Sequence, residues 1–269
     1  MEDSNYKIER IPKIIHYCWF GGKPLSEEVQ HCIESWKKYC PDYEIWRWDE
    51  NNYDYTRILY TKQAYQNRKW AFVSDVARLE VVYRYGGFYL DTDVELIKSL
   101  DDLCYESAYM GFEKGRLVAT GLGFGAEKNN PVILNILKMY DRLSFVNQDG
   151  SLNLKPCTII TTDYLKTLGL VSEDRMQILP NIKIYPSDFF CPMLLDNGAD
   201  ITDNTISIHH YSGSWTTDYE KNNQKKRVKI YSKYGQLGLS IYDGYKLWRL
   251  KGFSAFVLRL KEKIKESRK

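Results

Sequence analysis

The sequence predicts an α/β protein built on a central β-sheet with helices packed against it. Short β-prone runs alternate with helical patterns along the 269 residues, which is the order expected of βαβ units. The first strand, helix and strand follow one another within about 36 residues, and a longer helical pattern runs through two glycines into an apolar strand. Ligands of such sheets bind at the carboxyl ends of the strands, so function is expected there.

The first predicted unit lies near the N-terminus. Lys13–Phe20 is a short β-prone run that ends in a Gly-Gly turn. Ser26 is a typical N-cap for the helix that follows, and this helix is predicted to end at Cys40, directly before a proline. Tyr43–Trp48 is the second strand. The diglycine turn and the end of the second strand are therefore expected to line one crevice.

A helix with two charged side chains is predicted to begin at Trp70. Its apolar residues recur at spacings of four, three and four, which is typical of one buried stripe: Phe72, Val76, Leu79 and Tyr83. Asp75 and Arg78 are three residues apart and share a neighbouring face. Gly86 and Gly87 supply the left-handed conformation that ends helices.

Two aspartates follow the next strand. Phe88–Leu90 is apolar and leads directly into Asp91 and Asp93, so their carboxylates can converge on one divalent cation at the sheet edge. Hard oxygen ligands suit Mg²⁺ or Mn²⁺, which complete their coordination with water and substrate phosphates. Acidic pairs are also common in turns that bind no metal. The apolar strand before this pair and the nearby Asp75 and Arg78 favour the metal-binding interpretation.

The remainder of the chain contributes further elements. Strands are predicted at Ala108–Glu113, Gly121–Ala126, Gln177–Pro180, Ile182–Pro186 and Thr205–Tyr211, and helices at Asn130–Tyr140 and Thr158–Leu168. The stretch KNNQKKR, just beyond residue 220, marks a boundary. We therefore predict a folded domain at residues 1–220 and a tail at residues 221–269.

Three stretches in this order, IPKIIHYCWFGG, SDVARLEVVYRYGGFYLDTDVEL and HHYSGSW, resemble the sugar transferases that contain a DXD motif, glycosyltransferase family 32. They are also similar to the glucosylating clostridial toxins. The resemblance covers roughly residues 11–100 and 205–216. It implies that residues 1–220 are a GT-A catalytic domain, a Rossmann-like α/β/α sandwich with a mixed central sheet. It also implies a retaining hexosyltransferase that uses a nucleotide-diphosphate sugar, with a UDP-sugar favoured, and Mn²⁺ or Mg²⁺.

The resemblance also implies roles for single residues. Trp19 would stack on the nucleobase of the donor. Asp75 and Arg78 would hold the sugar hydroxyls and the diphosphate side. Asp91 would contact the ribose, the sugar or the metal through water, and Asp93 would bind the metal directly.

The HHYSGSW stretch would supply the remaining groups of the donor site. By resemblance, His210 would complete the metal shell, and Ser214 and Trp215 would reach the β-phosphate. The residues alone leave structural alternatives open: Trp19 as core packing, Asp75 with Arg78 as a surface ion pair, and either histidine as a structural residue. The acceptor would be a glycan or a lipid-linked glycan in bacterial capsular or surface polysaccharide synthesis.

The net charge of +3 combines two unequal parts. Residues 245–269 contain nine Lys or Arg and two Glu, a net charge of +7, which leaves −4 for the rest of the chain. The apolar residues of this tail fall at helical spacing: Phe253, Phe256, Val257, Leu260 and Ile264. Such a basic amphipathic helix either lies on an anionic membrane surface or packs on the protein body. Binding to nucleic acid is not expected, because the body is acidic.

Targeting and redox patterns favour the cytoplasm, with the inner face of the membrane as the alternative location. The N-terminal residues are polar, and the apolar runs are far shorter than the roughly 20 residues that span a bilayer. Six cysteines without a C-x-x-C pair or a metal-ligand spacing are typical of reduced thiols.

Two other functions compete with sugar transfer. A phosphohydrolase of the haloacid-dehalogenase type also places D-x-D after an apolar strand, with the first Asp as nucleophile. Here 90 residues precede Asp91, and no Asp-Asp pair follows at the end of a predicted strand to complete such a magnesium site. A carbohydrate-binding protein would account for the 14% of aromatic residues. It would not require the four charged residues Asp75, Arg78, Asp91 and Asp93.

Overall fold

A computed structural model describes residues 8–113, 117–192, 194–195 and 198–212, together with Tyr242, Tyr245, Trp248 and Arg249. The chain divides into two compact units, Met1–Ser212 and Gly213–Lys269. The four described residues of the second unit are helical, and the rings of Tyr245 and Trp248 lie 6.1 Å apart. Ser214, Trp215 and most of the basic tail lie outside the described residues, so the predictions for them remain predictions.

The described part of the first unit contains helices and short strands in alternation. The helices are α1 (Glu27–Tyr39), α2 (Leu59–Gln66), α3 (Trp70–Tyr85), α4 (Pro131–Tyr140), α5 (Cys157–Thr167) and α6 (Ser187–Phe190). The strands are β1 (Ile14–Cys18), β2 (Glu44–Trp48), β3 (Gly87–Tyr89), β4 (Val94–Leu96), β5 (Ala108–Glu113), β6 (Leu117–Ala119), β7 (Phe124–Ala126), β8 (Gln177–Leu179), β9 (Ile182–Tyr185), β10 (Leu194–Leu195), β11 (Gly198–Ala199) and β12 (Ser207–His209). Among the described residues, no helix has the length and hydropathy that crossing a bilayer requires.

Eight strands form a mixed central sheet in the order β2-β1-β3-β7-β5-β9-β8, with β6 paired to β5. The pairs β1–β2, β1–β3 and β5–β9 are parallel, whereas β3–β7, β5–β7 and β8–β9 are antiparallel. One apolar core lies between the sheet and α2, α3, α4 and α5, and another lies on the side of α1 and α6. The predicted α/β/α sandwich with a mixed central sheet is confirmed.

Local chemistry explains where two helices begin. The Ser26 hydroxyl accepts a hydrogen bond from the Val29 amide, and the Asn130 side chain accepts one from the Val132 amide at 2.9 Å. Both are N-caps that replace a missing intrahelical acceptor. The Trp36 indole of α1 is fully buried and donates to the Val94 carbonyl of β4 at 2.7 Å. This contact joins α1 to the segment that follows the two aspartates.

The diglycine ends α3, as predicted, and positions β3 against β1. Gly86 ends the helix with φ 71°, and Gly87 has φ 104°, with space for no side chain because a Cβ would lie 2.6 Å from the Ile14 carbonyl oxygen. Buried His16 donates from Nε2 to the Gly86 carbonyl and accepts at Nδ1 from the Trp48 indole. Burial lowers the pKa of His16 to about 4. The neutral ring therefore ties β1 to β2 and to the end of α3.

Two predictions need correction, and some elements were not predicted. The single stripe on α3 is too narrow, because Val73 and the whole run 75–82 are buried while Phe72 and Tyr83 are only half-buried. The strand predicted at 121–126 is divided into a 3₁₀ turn, Thr120–Leu122, and β7. Helix α2 and strand β4 were not predicted. All six cysteines are free thiols, as expected.

Candidate donor and metal site

The candidate site lies where β3 ends and α3 passes beside it. Asp91 and Asp93 follow β3, while Asp75 and Arg78 project from the middle of α3. Strand β12 pairs antiparallel with β4, with His209 opposite Val94, and so returns the chain to the same edge. Four of the predicted charged residues are therefore brought together, although they come from two separate elements.

Arg78 connects the two halves of the site. Its guanidinium lies 2.9 Å from Asp75 Oδ1 and 3.5 Å from Asp91 Oδ1. Arg78 Nε also donates to the Ser74 carbonyl, and the central carbon of the guanidinium lies 5.0 Å from the centre of the Tyr89 ring. Arg78 is 4% exposed, so the pair with Asp75 is buried and the surface ion pair allowed by the sequence is excluded.

Burial and neighbouring charges together set the pKa values of Asp75, Asp91 and Arg78. Burial raises the pKa of Asp75 and of Asp91, and the Arg78 charge opposes that shift in both. Burial alone would lower the pKa of Arg78, but the two carboxylates and Tyr89 hold it well above its usual value. Arg78 therefore remains positively charged throughout the range in which a protein is folded.

Asp93 and His209 form the second charged pair. His209 Nε2 lies 3.2 Å from Asp93 Oδ1. Burial raises the pKa of Asp93, but the hydrogen bond and charge of His209 outweigh it, and the pKa lies below its usual value. Burial lowers the pKa of His209, but Asp93 and the other carboxylates raise it overall.

Three of these residues fit a divalent cation. One ligand atom from each of Asp91, Asp93 and His209 lies within 4.8 Å of the others. Among the described residues, His209 Nδ1 is a buried nitrogen without a hydrogen-bond partner, which is unusual for a buried polar atom. Two carboxylate oxygens with one imidazole are a donor set for Mn²⁺, and the carboxylates also suit Mg²⁺.

The histidine beside the DXD carboxylates is His209, and not His210 as expected from the HYSG pattern. Successive side chains along a strand point in opposite directions, so only one of two adjacent histidines can face Asp93. His210 instead bonds Glu95 at 2.9 Å, and the same carboxylate lies 3.6 Å from His31. The structure therefore places His209, one residue before the predicted His210, beside the two aspartates, and metal binding by either histidine stays a prediction.

Trp19 lies just beyond the end of β1 and is half-buried. Its indole donates to the Lys23 carbonyl at 2.6 Å, and its ring packs against the apolar core on the α1 side. The predicted stacking of this ring on a nucleobase remains a prediction.

Several site residues were not singled out from the sequence. The Tyr89 hydroxyl donates to Asp91 Oδ1 at 3.0 Å, and Thr120 accepts a bond from Arg78 at 3.4 Å. A Cβ on Gly121 would lie 2.5 Å from Asp91 Oδ2, so a side chain there would displace the Asp91 carboxylate. An isolated glycine near a strand often marks such a close approach, but the pattern does not indicate that Gly121 approaches Asp91.

Two further groups complete the wall of the site. The Cys157 thiol lies 4.0 Å from Thr120 Oγ1 at the beginning of α5. Burial, assisted by the Asp75 charge, raises the pKa of this thiol, which therefore stays protonated. Burial also raises the pKa of Glu113 at the end of β5, and His209 opposes that shift. Neither residue belongs to a motif, so no pattern in the sequence could have identified them.

The geometry defines a site with a cluster of cation ligands beside a buried guanidinium. Residues 26–110 match the family described as glycosyltransferase sugar-binding region containing DXD motif. The matched segment contains Asp75, Arg78, Asp91 and Asp93, and it agrees with the resemblance seen in the sequence.

Relatives from Schizosaccharomyces pombe (strain 972 / ATCC 24843) share part of the chain. Inositol phosphoceramide mannosyltransferase 3 is 29% identical over 143 residues, and inositol phosphoceramide mannosyltransferase 1 is 26% identical over 115 residues. The matches cover 50% and 39% of this chain. The chain spans only 38% and 34% of the lengths of these two relatives.

Two solved glycosyltransferase structures are also similar. The PaToxG glycosyltransferase is 21% identical with a TM-score of 0.47, over 59% of this chain and 70% of the other. A glycosyltransferase involved in the glycosylation of the major capsid of PBCV-1 is 10% identical with a TM-score of 0.41, over 80% of this chain and 100% of the other.

Proposed function

We propose that the protein is a metal-dependent, retaining glycosyltransferase that moves a hexose from a nucleotide-diphosphate sugar to a glycan acceptor. One observation carries this proposal. Arg78 contacts both Asp75 and Asp91, and ligand atoms of Asp91, Asp93 and His209 lie within 4.8 Å of one another. The buried Arg78 guanidinium beside a cluster of metal ligands suits a diphosphate leaving group, whose negative charge increases as the sugar departs.

Each residue has a distinct task in the proposed reaction. Asp93, His209 and Asp91 would hold Mn²⁺ or Mg²⁺, which supplies positive charge to the diphosphate. Arg78 offsets the charge of the departing phosphate from the other side, because it is buried and stays ionised. Asp75 accepts hydrogen bonds from hydroxyl groups of the donor sugar while Arg78 orients its carboxylate at 2.9 Å. Trp19, Ser214 and Trp215 would complete the donor site.

The bond from the anomeric carbon to the phosphate oxygen breaks, and a bond from that carbon to an acceptor oxygen forms on the same face. The acceptor proton passes to an oxygen of the leaving diphosphate. Anomeric proton NMR of the first product distinguishes this retaining reaction from inversion, and an inverted product would contradict it.

The donor and acceptor are part of the proposal. We favour a UDP-hexose, and a glycan or lipid-linked glycan acceptor of bacterial capsular or surface polysaccharide. The names of the two relatives point to mannose as a second donor sugar and to an acceptor that carries a phosphate and a polyol. A panel of UDP-glucose, UDP-galactose, UDP-N-acetylglucosamine and GDP-mannose therefore covers the candidates.

The central experiment measures hydrolysis of this panel by the purified chain with Mn²⁺ and with EDTA. We expect metal-dependent hydrolysis of one donor, reduced at least about 100-fold in Asp93→Asn, with a melting temperature near that of the wild type. Asp163→Asn is the matched control, because Asp163 is half-exposed on α5 and its one ion pair within the described residues is with Lys155. No hydrolysis of any donor, or full hydrolysis in Asp93→Asn, would contradict the proposal.

The same proteins test the phosphohydrolase alternative. In that reaction Asp91 would be the nucleophile and p-nitrophenyl phosphate would be a substrate. Cleavage of this ester that persists in Asp93→Asn would overturn sugar transfer in favour of phosphate hydrolysis. Binding of neutral glycans without hydrolysis of any donor would favour a carbohydrate-binding protein.

We further propose that the enzyme works in the cytoplasm at the inner face of the membrane, held there by residues 245–269. The net charge of +7 over this stretch supports attraction to anionic lipids. Deletion of residues 245–269 should release the protein from vesicles that contain phosphatidylglycerol. Undiminished sedimentation of the deleted chain with these vesicles would refute this part of the proposal.

A further inference from the structure

A separate pocket lies between α2 and the beginning of α3. It has a volume of about 390 Å³ and is lined mainly by Tyr55, Lys62, Tyr65, Gln66, Arg68 and Trp70. We call it the aromatic–basic pocket. Small-molecule pockets range from about 300 to 1,000 Å³, so this one suits a single ring with one substituent rather than a whole nucleotide sugar.

Three aromatic rings form one side of the aromatic–basic pocket. The rings of Tyr55 and Tyr65 stack at 3.7 Å with an angle of 13° between their planes. Trp70 meets Tyr65 edge to face at 4.9 Å. All three rings remain partly exposed. Such preordered, amphipathic rings bind the apolar faces of flat or saturated rings at little entropic cost.

Two cations lie at the same pocket. Lys62 and Arg68 are both exposed, and none of the ion pairs in the described part of the chain includes either of them. Exposed cations without a carboxylate partner beside a pocket favour an anionic ligand, and arginine suits the two-pronged recognition of a phosphate.

Arg68 adopts a backbone conformation that is more stable for glycine than for arginine. Its amide donates to the Tyr65 carbonyl and the Lys69 amide donates to the Ala64 carbonyl, both at 2.9 Å, which is the hydrogen-bond pattern of a Schellman motif after α2. Glycine usually occupies this position, whereas Arg68 adopts φ 55°. A large side chain in the left-handed region is unfavourable, and such residues concentrate at functional sites.

The aromatic–basic pocket is connected to the diglycine turn that follows β1. The Trp70 indole packs so closely on Gly21 that a Cβ there would lie 2.7 Å from its nitrogen. The Glu50 carboxylate accepts from both the Gly21 amide and the Tyr65 hydroxyl. Trp70 also begins α3, the helix that carries Asp75. The pocket is therefore joined to the turn beside Trp19, the residue proposed to stack on the donor nucleobase.

We propose that the aromatic–basic pocket binds the phosphorylated sugar or polyol of the acceptor, with its ring on the aromatic side chains and its phosphate at Lys62 and Arg68. This assignment to the acceptor rests on the proposed function, whereas the binding itself does not. The phosphorylated ring is either a free sugar phosphate or the headgroup of a lipid.

Calorimetry on the full chain tests binding without catalysis. Glucose 6-phosphate, glucose and inorganic phosphate are titrated separately, with EDTA and without nucleotide. We expect glucose 6-phosphate to bind more tightly than either part of it. Asp93→Asn should bind it as the wild type does, so that a failure of sugar transfer and a failure of this pocket give different results.

Arg68→Gly separates a ligand-binding role from a structural one. Glycine is the preferred residue at this backbone position, so the variant should melt at or above the temperature of the wild type. Its affinity for glucose 6-phosphate should fall about tenfold, and Lys62→Ala should act in the same direction. Lys166→Ala is the matched control, because it removes an exposed lysine of α5 and should leave affinity unchanged. Unchanged affinity in both pocket variants would overturn the proposal.

Two further measurements identify what occupies the pocket. If Arg68→Gly weakens binding of UDP with Mn²⁺ as strongly as binding of glucose 6-phosphate, the pocket belongs to the donor and the acceptor assignment is wrong. Sedimentation with phosphatidylcholine vesicles, with and without phosphatidylinositol, compares the same full-length proteins. A loss specific to phosphatidylinositol in Arg68→Gly supports a lipid headgroup. Unchanged sedimentation together with weaker glucose 6-phosphate binding supports a free phosphorylated sugar.

Discussion

Substitution of Gly121 by alanine should impair the site while leaving the fold intact. Gly121 lies in the 3₁₀ turn before β7. It is not among the glycines with positive φ, so alanine can adopt its backbone conformation. A Cβ there would lie 2.5 Å from Asp91 Oδ2 and 3.3 Å from Arg78 Nη1. The new methyl group therefore meets the two charged groups that join the halves of the site.

The size of the effect follows from these distances. Ordinary van der Waals contacts of a Cβ begin at 3.4 Å, so the Asp91 carboxylate must withdraw by roughly 0.9 Å, and a displacement of about 1 Å in a reacting constellation costs about 100-fold in rate. Withdrawal also moves Asp91 away from the Tyr89 hydroxyl at 3.0 Å. We expect kcat for donor hydrolysis to fall about 100-fold and Mn²⁺ to bind more weakly.

Gly125→Ala provides the contrast. Its Cβ would lie 2.8 Å from a Tyr109 ring carbon and 3.0 Å from Phe88, inside the core and away from the carboxylates. That variant should lose thermal stability, whereas Gly121→Ala should melt close to the wild type but lose activity. Wild-type hydrolysis and Mn²⁺ affinity in Gly121→Ala would refute the inference that Asp91 must stay in its present position.

Further predictions concern the elements that support the site. Arg78→Met should destabilise the protein by about 3–5 kcal/mol in urea unfolding, because Asp75 and Asp91 would be left buried without their counter-charge; wild-type stability would contradict the buried pairing. Because of His16, the free energy of unfolding should decrease by on the order of 3 kcal/mol as pH falls from about 6.5 to about 4. In that range the unfolded state binds a proton that the buried ring does not bind. His16→Gln should flatten that pH dependence in thermal denaturation, and an unchanged slope would assign it to other groups. Trp36→Phe should cost about 1–3 kcal/mol by leaving the buried Val94 carbonyl unpaired, and a smaller loss in chemical denaturation would show that water replaces the indole.

The half of the site that local patterns encode could be predicted from the sequence. Helical spacing placed Asp75 and Arg78 on one region of α3, and the Gly-Gly-apolar-Asp-x-Asp succession placed Asp91 and Asp93 after β3. Both inferences need only neighbours along the chain. The prediction of a single buried stripe on α3 was wrong because of tertiary contacts. This helix is contacted by β1, β3, β7, α2 and α4, so more than one of its faces is buried.

The other half depends on contacts that no local pattern records. Gly121 and Cys157 approach Asp91 and Asp75 only because β7 pairs with β3 and α5 contacts the 3₁₀ turn before β7. Their positions are separated from the aspartates by tens of residues, and each residue type is unremarkable in its own segment. Helix α2 was missed because it has only eight residues and buries just two apolar side chains, Tyr60 and Ala64, which is too short a pattern to indicate a helix.

The choice between His209 and His210 shows where a motif stops being sufficient. A pattern such as HYSG fixes which residues are present, but the direction of each side chain depends on the register of its strand. Here His209 lies opposite Val94 in the β12–β4 pair, and a shift by one residue would exchange the faces of the two histidines. His209→Ala should therefore weaken Mn²⁺ binding strongly, whereas His210→Ala should disturb only the contact with Glu95. Isothermal titration with Mn²⁺ on both variants decides between the register of the structure and the alignment of the motif: a larger loss in His210→Ala would show that β12 is displaced by one residue in solution.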